Sequence, residues 1–481
     1  MLMKICLLTI LMCYLASAAL AQLSNAETLI VYSTEQPNTI ADSAALFTIN
    51  QIAVEGNRKT QESVILRELS FKEGERYSLS VLVQKFKQAK EQLLNTTMFQ
   101  NVIVSLKNFE GNGASVKVSV KERWYIYPIP FVNVVDNSFQ NWVKQEGMDL
   151  DRVKYGIKIK HRNFSGRNDK VTMNITNGYT KALAFRYEDV PVDANLKWLA
   201  SFYTSLGRNR DINYATFDNQ RIAYKNPDVF VHSFFKSAAE ITYRPAIKTR
   251  HTFGLGYNYE KISDTILSMS PDFSTQTNKI TYPELYYKLQ YFDVDFIPYP
   301  TKGFATDVKF AKKGFGGAVD VWQTTARASA TFPLGSKYYI NWRAAGVLKL
   351  PFDQPYTMQN FVGSDGHYIQ GYEDYVIDGV AGGFTKATFA RQIINTIINV
   401  PSRKVKQLNY IPIKIYGKVF GNTGYIYNKN PHISNTLNNQ MLHSAGIGLD
   451  IILFYDFIFK VEWSFNHLRQ NGIYLHDRSY L

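Results

Sequence analysis

From about residue 123 onward, polar and apolar residues alternate in short segments that end at Gly, Asn, Asp or Pro. In segments such as 154–160, 253–259 and 413–420, charges and amides share one face, and aromatic and aliphatic side chains share the other. A period of two predicts β-strands, because successive side chains of a strand point to opposite faces of the sheet. The same alternation suits a soluble sandwich. The pattern therefore predicts mainly β structure over 123–481 and leaves the kind of sheet open.

The preceding region, residues 47–122, mixes both periodicities. It predicts a strand, two helices and a hairpin in the segments 47–54, 60–69, 78–94, 99–106 and 114–120. Gly56 and Asn57 form the turn after the first strand. The order β-α-α-β-β predicts a small α+β domain in which two helices cover one face of a three-stranded sheet.

The first 21 residues have the layout of a secretory signal peptide. Lys4 supplies the positive charge, residues 5–15 the apolar run, and residues 19–21 an A-x-A cleavage site. The apolar run is shorter than the ~20 residues of a spanning helix, so a membrane anchor is the weaker interpretation. Residues 22–46 are rich in Ser, Thr, Asn and Ala and predict a flexible linker.

Composition narrows the class of protein. A chain of 481 residues with 20% charged residues is too polar for a helical membrane protein, and 45% hydrophobic residues are too many for a disordered one. Both cysteines, Cys6 and Cys13, lie in the leader, so the processed chain would have no disulfide and no thiol nucleophile. After residue 21 the sequence lacks a run of roughly 18 apolar residues. The exported protein is therefore either soluble or a transmembrane barrel.

Length and aromatic content favour the barrel. At about 22 residues per strand and connection, residues 123–481 allow roughly 16 strands, which is a permitted even number for a barrel. Aromatic residues make up 14% of the chain and cluster near strand ends, as a membrane girdle requires. The sequence thus predicts a mainly β protein, with a 16-stranded antiparallel transmembrane β-barrel over 123–481 preceded by one small α+β domain.

Residues 47–122 resemble a POTRA domain, including the Gly56–Asn57 turn. The rest of the chain resembles the outer-membrane protein-assembly superfamily, which contains the BamA-type insertases, TamA and the two-partner-secretion transporters. Residues 163–166 resemble an early turn found in these barrels. Three motifs carry the resemblance: a lumen-loop motif at Ile369, Gln370, Gly371, Tyr372 and Glu373, a barrel-wall motif at Phe420, Asn422 and Gly424, and a hairpin motif at Asp293, Asp295, Pro300 and Gly303.

Gln370 and Asn422 depart from the family pattern. In the family, an Arg and an Asp at these positions form a charge pair that holds the loop inside the barrel. Both charges are missing together, so neither is left unpaired in the lumen. We expect the loop to dock through an amide–amide hydrogen bond from Gln370 to Asn422, worth about 1 kcal/mol. The alternative is that Gln370 faces water in the lumen.

The resemblance implies a poorly paired seam between the first and last barrel strands, which can open and template a client strand. The first strand is expected within 124–137 and the last within 456–467. The seam positions are then Trp124, Pro128, Pro130, Trp463 and Phe465, and each proline removes a hydrogen-bond donor. Family barrels end on an aromatic residue, whereas Tyr480 is penultimate here. Either this signal is shifted by one, or the last strand ends near residue 468 and a tail follows.

These features predict an outer-membrane barrel, with its POTRA domain in the periplasm, that aids insertion or secretion of outer-membrane proteins. Insertases carry several POTRA domains, and the secretion transporters carry two and a plug helix. One POTRA domain therefore keeps two alternatives open, an accessory or structural subunit of an envelope complex and a passive substrate channel.

No catalytic, metal or cofactor site is expected. The eight histidines form no H-E-x-x-H pattern, and there is no G-x-S-x-G elbow. An excess of 54 Lys and Arg over 40 Asp and Glu suits ordinary solvated loops, or a rim that meets lipopolysaccharide phosphates. Expected partners are outer-membrane lipids and lipopolysaccharide, client outer-membrane proteins and accessory envelope subunits. Export argues against nucleic acid.

Overall fold

The computed structural model describes residues 46–134, 153–274, 277–363, 368–399, 410–453 and 457–476. The predicted signal peptide lies outside these residues, as does the predicted linker except for Leu46, which begins the first strand. None of the helices in this part of the chain is long and apolar enough to cross a membrane.

The N-terminal domain has the elements β1 (Leu46–Glu55), α1 (Glu62–Arg67), β2 (Arg76–Ser78), α2 (Leu79–Asn95), β3 (Phe99–Glu110) and β4 (Gly113–Glu122). Its sheet has the order β2-β1-β4-β3, in which only β1 and β4 run parallel. The predicted element order is confirmed, but the sheet gains a fourth strand. β2 pairs only three residues with the start of β1. A strand of that length is too short to show an alternating pattern.

A small apolar core holds this domain together. Ile49 of β1, Val64 of α1, Leu82 and Leu93 of α2 and Val118 of β4 are all fully buried. They occupy the positions at which the helical and strand periodicities place the apolar face. Fully burying a side chain of this size contributes about 1.5–3 kcal/mol, so these contacts fix the helices on the sheet.

The second sheet contains sixteen strands, as predicted. In chain order they are β5 (Ile126–Val134), β6 (Val153–Arg162), β7 (Lys170–Gly178), β8 (Thr180–Pro191), β9 (Trp198–Asn209), β12 (His232–Ala246), β13 (Thr249–Ile262), β14 (Lys279–Val294), β15 (Gly303–Gly316), β16 (Val319–Pro333), β17 (Tyr338–Leu350), β18 (Ala381–Asn399), β19 (Tyr410–Tyr427), β20 (Met441–Ile452), β21 (Ile458–Asn466) and β22 (Asn471–His476). Each pairs antiparallel with the next. A separate hairpin of β10 (Asp211–Phe217) and β11 (Gln220–Lys225) is inserted after β9, and a short helix α3 (Asp264–Met269) follows β13.

β21 shows how alternation sorts side chains between the two faces of this sheet. Lys460, Glu462, Ser464 and Asn466 are buried on the inner face, whereas Phe459, Trp463 and Phe465 are exposed on the outer face. Large apolar side chains exposed on successive strands make an outward band of the kind that faces lipid in an outer-membrane barrel. The polar residues accordingly line the lumen.

The prediction for the last strand is wrong. β22 follows β21 after a turn in which Arg469 has a positive φ of 62°, and it continues the sheet. Trp463 and Phe465 therefore pair with Ile473 and Asn471 of β22 and do not lie at a seam. Six residues after a tight turn give too little alternation to be recognised as a strand. The chain beyond 468 thus supplies the sixteenth strand.

The two ends of the barrel differ. At the POTRA end, the turns at 163–169, 192–197 and 295–302 contact the POTRA domain. At the opposite end, which we call the far end, the β10–β11 hairpin meets the connection at 428–440, where the N–H of Asn219 donates to Asn435 Oδ1 over 2.9 Å. The Asn219 carbonyl accepts from the Val376 N–H over 2.8 Å. The hairpin therefore covers part of the far end.

Candidate functional site

Residues 351–363 and 368–380 between β17 and β18, here called the lumen loop, fold into the barrel. Ile369 and Tyr372 are fully buried within it. The Tyr372 hydroxyl donates to the His443 carbonyl over 2.9 Å, and Asn466 Nδ2 donates to the Gly371 carbonyl over 2.8 Å. These contacts attach the tip of the loop to the inner faces of β20 and β21.

Gln370 is buried, but its partner is not the one predicted. Its Nε2 donates to Glu462 Oε1 on β21 over 2.8 Å, whereas Asn422 Nδ2 donates to Ser444 Oγ on β20 over 2.9 Å. Among the described residues, no hydrogen bond joins Gln370 to Asn422, so that prediction is wrong. The alternative of a water-facing Gln370 is also wrong, since only 6% of the residue is exposed. A carboxylate is the stronger acceptor, because hydrogen bonds to ionised groups are shorter and stronger than those between neutral amides.

The lumen-loop and barrel-wall motifs nevertheless meet, through apolar packing. A Cβ added to Gly424 would lie 3.0 Å from Ile369 Cδ1, so the glycine leaves room for the loop isoleucine. Phe420 is buried on the same strand. The absence of a side chain at Gly424 therefore leaves the space that Ile369 of the loop occupies.

A buried cluster of charged side chains lies below the loop, and it was not predicted from the sequence. Lys418 Nζ lies 2.5 Å from Asp450 Oδ1 and 2.5 Å from Glu462 Oε1, and all three side chains are at most 2% exposed. Asp450 Oδ2 also accepts from the Tyr299 hydroxyl over 2.9 Å. Because each charge has an opposite partner, the lumen tolerates them at this depth. Polar residues recur at alternate positions along many of these strands, so nothing in the sequence singles out these three.

The hairpin motif shapes the turn between β14 and β15. Asp295 Oδ1 accepts from the backbone N–H groups of residues 301 and 302 over 2.9 and 3.1 Å. Gly303 has a φ of 107°, and a Cβ there would lie 2.0 Å from the Asp293 carbonyl oxygen, so only glycine fits. Pro300 is buried inside the turn. The motif therefore builds a rigid turn and offers no reactive group.

That turn binds the POTRA domain. Asn95, the last residue of α2, donates from Nδ2 to the Val294 carbonyl over 2.9 Å and accepts from the Ile297 N–H at its Oδ1 over 2.8 Å. A side-chain amide that bonds two backbone groups of the turn at once fixes its orientation as well as its distance. The hairpin motif thus forms the first contact between the barrel and the POTRA helix α2.

The POTRA turn residues lie beside a second contact with the barrel. Gly56 has a φ of 88°, and a Cβ there would lie 2.0 Å from the Val120 carbonyl oxygen, whereas Asn57 Nδ2 donates to the Thr60 carbonyl over 3.1 Å. Thr60 Oγ1 in turn accepts from Asn163 Nδ2 of the barrel over 2.9 Å. The early barrel turn noted in the sequence therefore contacts the POTRA turn directly.

A buried ion pair forms the third contact. Arg244 of β12 lies 3.1 Å from Glu68, and the two side chains are 6% and 4% exposed. Arg67 lies 2.7 Å from the same carboxylate. Burial by itself would raise the pKa of Glu68, but the guanidinium groups of Arg244 and Arg67 outweigh it and hold that pKa below its ordinary value. Glu68 is therefore ionised at neutral pH.

We expect POTRA docking to weaken in acid through Glu68. A depressed folded-state pKa means that the stabilisation is complete above the ordinary Glu pKa of about 4.3 and is lost as the pH falls through the folded value. Spin labels on Lys90→Cys and Lys337→Cys, both exposed positions, would report the distance between the POTRA domain and the barrel. The distance distribution should broaden only below about pH 4. Glu68→Gln should remove this step, and an unchanged step in that variant would contradict the assignment.

The first and last strands of the sheet lie at its two ends. Among the residues that the structure describes, no ladder joins β5 to β22, and the sheet order runs from one to the other without closing. Pro128 and Pro130 pair in register with Ile159 and Ile157 of β6. Proline is tolerated in a strand where its nitrogen faces away from the ladder, so both prolines remove donors from the edge opposite β6. Trp124 precedes this strand and is exposed.

The sequence profile of the Omp85 superfamily domain matches residues 163–453, and that of the POTRA domain, described as a surface antigen variable number repeat, matches residues 47–123. The chain belongs to the Omp85 superfamily. It is an outer-membrane β-barrel protein with a POTRA domain, and Omp85 proteins work with client outer-membrane proteins or secreted substrates. A comparison with curated proteins gives no match.

Two solved structures are similar to this chain. CdiB from Escherichia coli is 12% identical with a TM-score of 0.54, and the match covers 90% of this chain and 74% of CdiB. BamA from Haemophilus ducreyi lacking POTRA domains 1–3 is 16% identical with a TM-score of 0.47, over 89% of this chain and 83% of that one. At 12% identity, the likeness to CdiB shows the fold alone.

Proposed function

We propose that this Omp85 barrel aids insertion or secretion of outer-membrane proteins by opening laterally between β5 and β22. The observation that carries the proposal is the unclosed sheet order, in which these two strands have no ladder among the described residues. An unpaired strand edge presents backbone N–H and C=O groups that pair readily with an incoming strand. The activity rests on backbone pairing and needs no catalytic residue.

The lumen loop supports this proposal by its position. Besides its contacts to β20 and β21, it reaches β22, where the Tyr474 hydroxyl donates to Asp374 Oδ2 over 3.2 Å. The ring of Tyr368 stacks on that of His476 with centroids 4.8 Å apart. A loop that holds β22 from inside can control how far this strand moves from β5.

In this proposal, the POTRA domain lies in the periplasm and receives clients before they reach the seam. Its three contacts with the barrel place the domain at one end of the barrel. The outward apolar band contacts outer-membrane lipid, and basic residues at the far end meet lipopolysaccharide phosphates.

A disulfide across the seam tests the mechanism. Both native cysteines precede residue 14, so introduced pairs have no competing thiol in the rest of the chain. One cysteine is placed on β5 at Ile129, Phe131 or Val132, and the other on β22 at Gly472, Ile473 or Tyr474. The locked barrel should lose client assembly, measured as outer-membrane protein levels in cells that carry only this variant, and a reductant should restore it.

The matched control is a disulfide between Val461 and Leu475. These residues are already paired in register on β21 and β22, so linking them restrains no opening. The control should assemble clients at the wild-type level. Normal assembly by a fully cross-linked β5–β22 variant would show that lateral opening is not required.

A further inference from the structure

Three metal-ligating side chains from three separate elements converge beside the terminal strand. They are Glu373 of the lumen loop, Glu462 of β21 and His476 of β22. His476 Nε2 lies 3.3 Å from Glu373 Oε1 and 3.3 Å from Glu462 Oε2, and the three ligand atoms all lie within 4.8 Å of one another. We propose that they bind one divalent transition-metal ion of the zinc class.

Two of the three ligand spacings match tetrahedral coordination. Zinc binds a histidine nitrogen at about 2.0–2.1 Å and a carboxylate oxygen at about 2.0–2.2 Å, which separates two tetrahedral ligands by roughly 3.3–3.5 Å. Both distances from His476 are 3.3 Å. One nitrogen and two carboxylate oxygens leave a fourth position for water, an arrangement that zinc adopts in proteins.

The atoms that face one another lack hydrogen bonds. Glu373 Oε1, Glu462 Oε2 and His476 Nε2 are buried, and none has a hydrogen-bond partner within the described part of the chain. The Glu462 side chain is fully buried. Leaving a buried polar atom without a hydrogen-bond partner is unfavourable, and more so for a charged group. A metal ion that accepts all three lone pairs removes this cost.

The other atoms of these groups are held by neighbours. Glu462 Oε1 accepts from Gln370 Nε2 over 2.8 Å and Glu373 Oε2 accepts from the Gly371 N–H over 2.7 Å. The His476 ring is stacked on Tyr368. Such contacts orient metal ligands, and they are the usual companions of a metal site.

Both carboxylates and ammonium groups surround the three ligands. Lys418 is shared between Asp450 and Glu462, and Lys386 and Lys460 also interact with Glu462. Direct ligation by His476, Glu373 and Glu462, and not an excess of negative charge, therefore holds the ion. The ion would join the lumen loop to β22. This site goes beyond the proposed function and stands without it, since its test is binding alone.

Zinc binding by the purified, untagged full-length protein tests the site. After treatment with a chelator, equilibrium dialysis against Zn²⁺ with elemental analysis should find about one ion per folded chain. Glu373→Gln and His476→Ala should each weaken binding at least tenfold. Co²⁺ should bind at the same site and give the visible absorption of a four-coordinate complex.

Two controls complete the test. Glu188→Gln and His432→Ala change the same residue types outside the cluster and should bind Zn²⁺ like the wild type. Heat-modifiable gel mobility confirms that each variant is folded. Glu373→Gln changes a residue of the loop and not of a strand, so this variant still tests the site if His476→Ala misfolds. Failure to bind Zn²⁺ above one-tenth of an ion per chain, or equal binding by the cluster variants and the controls, would overturn the proposal.

Discussion

Gly371→Val should release the lumen loop and turn a nearly closed barrel into a conducting one. Gly371 has a φ of 89°, and a Cβ there would lie 3.0 Å from Ser444 Cβ and 3.3 Å from the Phe465 carbonyl oxygen. Backbone strain for a β-branched residue costs about 1–3 kcal/mol, and overpacking costs about as much again. Since about 1.4 kcal/mol is a factor of ten, the undocked population should rise at least tenfold.

Single-channel recording in planar bilayers measures this change. The wild type should show small, rare openings because the loop fills the lumen, and Gly371→Val should show large, frequent ones. Gly317→Val is the matched control, since Gly317 has a φ of 79° but open space around its Cβ position. It should conduct like the wild type. Wild-type currents from Gly371→Val would mean that the loop does not close the barrel, and a large stable pore in the unmodified protein would favour the passive-channel alternative.

Arg244→Met should undock the POTRA domain at neutral pH. The substitution leaves the Glu68 carboxylate buried with Arg67 as its remaining charged partner. Breaking a buried pair by removing one partner destabilises by about 3–5 kcal/mol, and we expect the low end here because Arg67 remains. The distance distribution between labels at residues 90 and 337 should become broad at neutral pH.

The double variant Glu68→Met and Arg244→Met is the control for this prediction. Replacing both members of a buried ion pair by apolar residues of similar volume is often neutral, because no uncompensated charge remains. The double variant should therefore regain most of the docked population. If it is as disordered as Arg244→Met, the contact is held by packing of the arginine stem and the charges matter little.

Alternation along the chain was enough to predict the fold class, and the length of the alternating region predicted the number of strands. It worked because lipid and lumen impose opposite demands on neighbouring residues, as on β21, where Phe459 and Trp463 face outward and Lys460 and Glu462 inward. It failed for β22 and for β2, which contain six and three residues. A strand with so few alternating residues cannot be distinguished from a loop by its sequence pattern.

The partners of individual polar residues could not be predicted. Glu68 and Arg244 are separated by 176 positions, and Gln370 and Glu462 by 92. Neither pair has a local spacing that indicates contact. The Gln370–Asn422 prediction transferred the geometry of a charged pair to two amides, and the nearby Glu462 carboxylate is the stronger acceptor. The contacts of His476 with Glu373 and Glu462 could not be predicted for the same reason, because both glutamates are remote in sequence from this histidine or follow no metal-site spacing.

Strand length varies around the barrel, and this affects the surrounding bilayer. β7 has 9 residues and β18 has 19. At a rise of about 3.4 Å per residue and a tilt near 40°, these strands reach heights of roughly 23 and 49 Å. The bilayer hydrocarbon, about 30 Å thick, must become thinner beside the short strand β7, which is two strands from β5. Beside the long strand β18 the wall spans it fully. Acyl chains at the low side are therefore under elastic strain, and a protein segment that enters there displaces lipid that is already poorly accommodated.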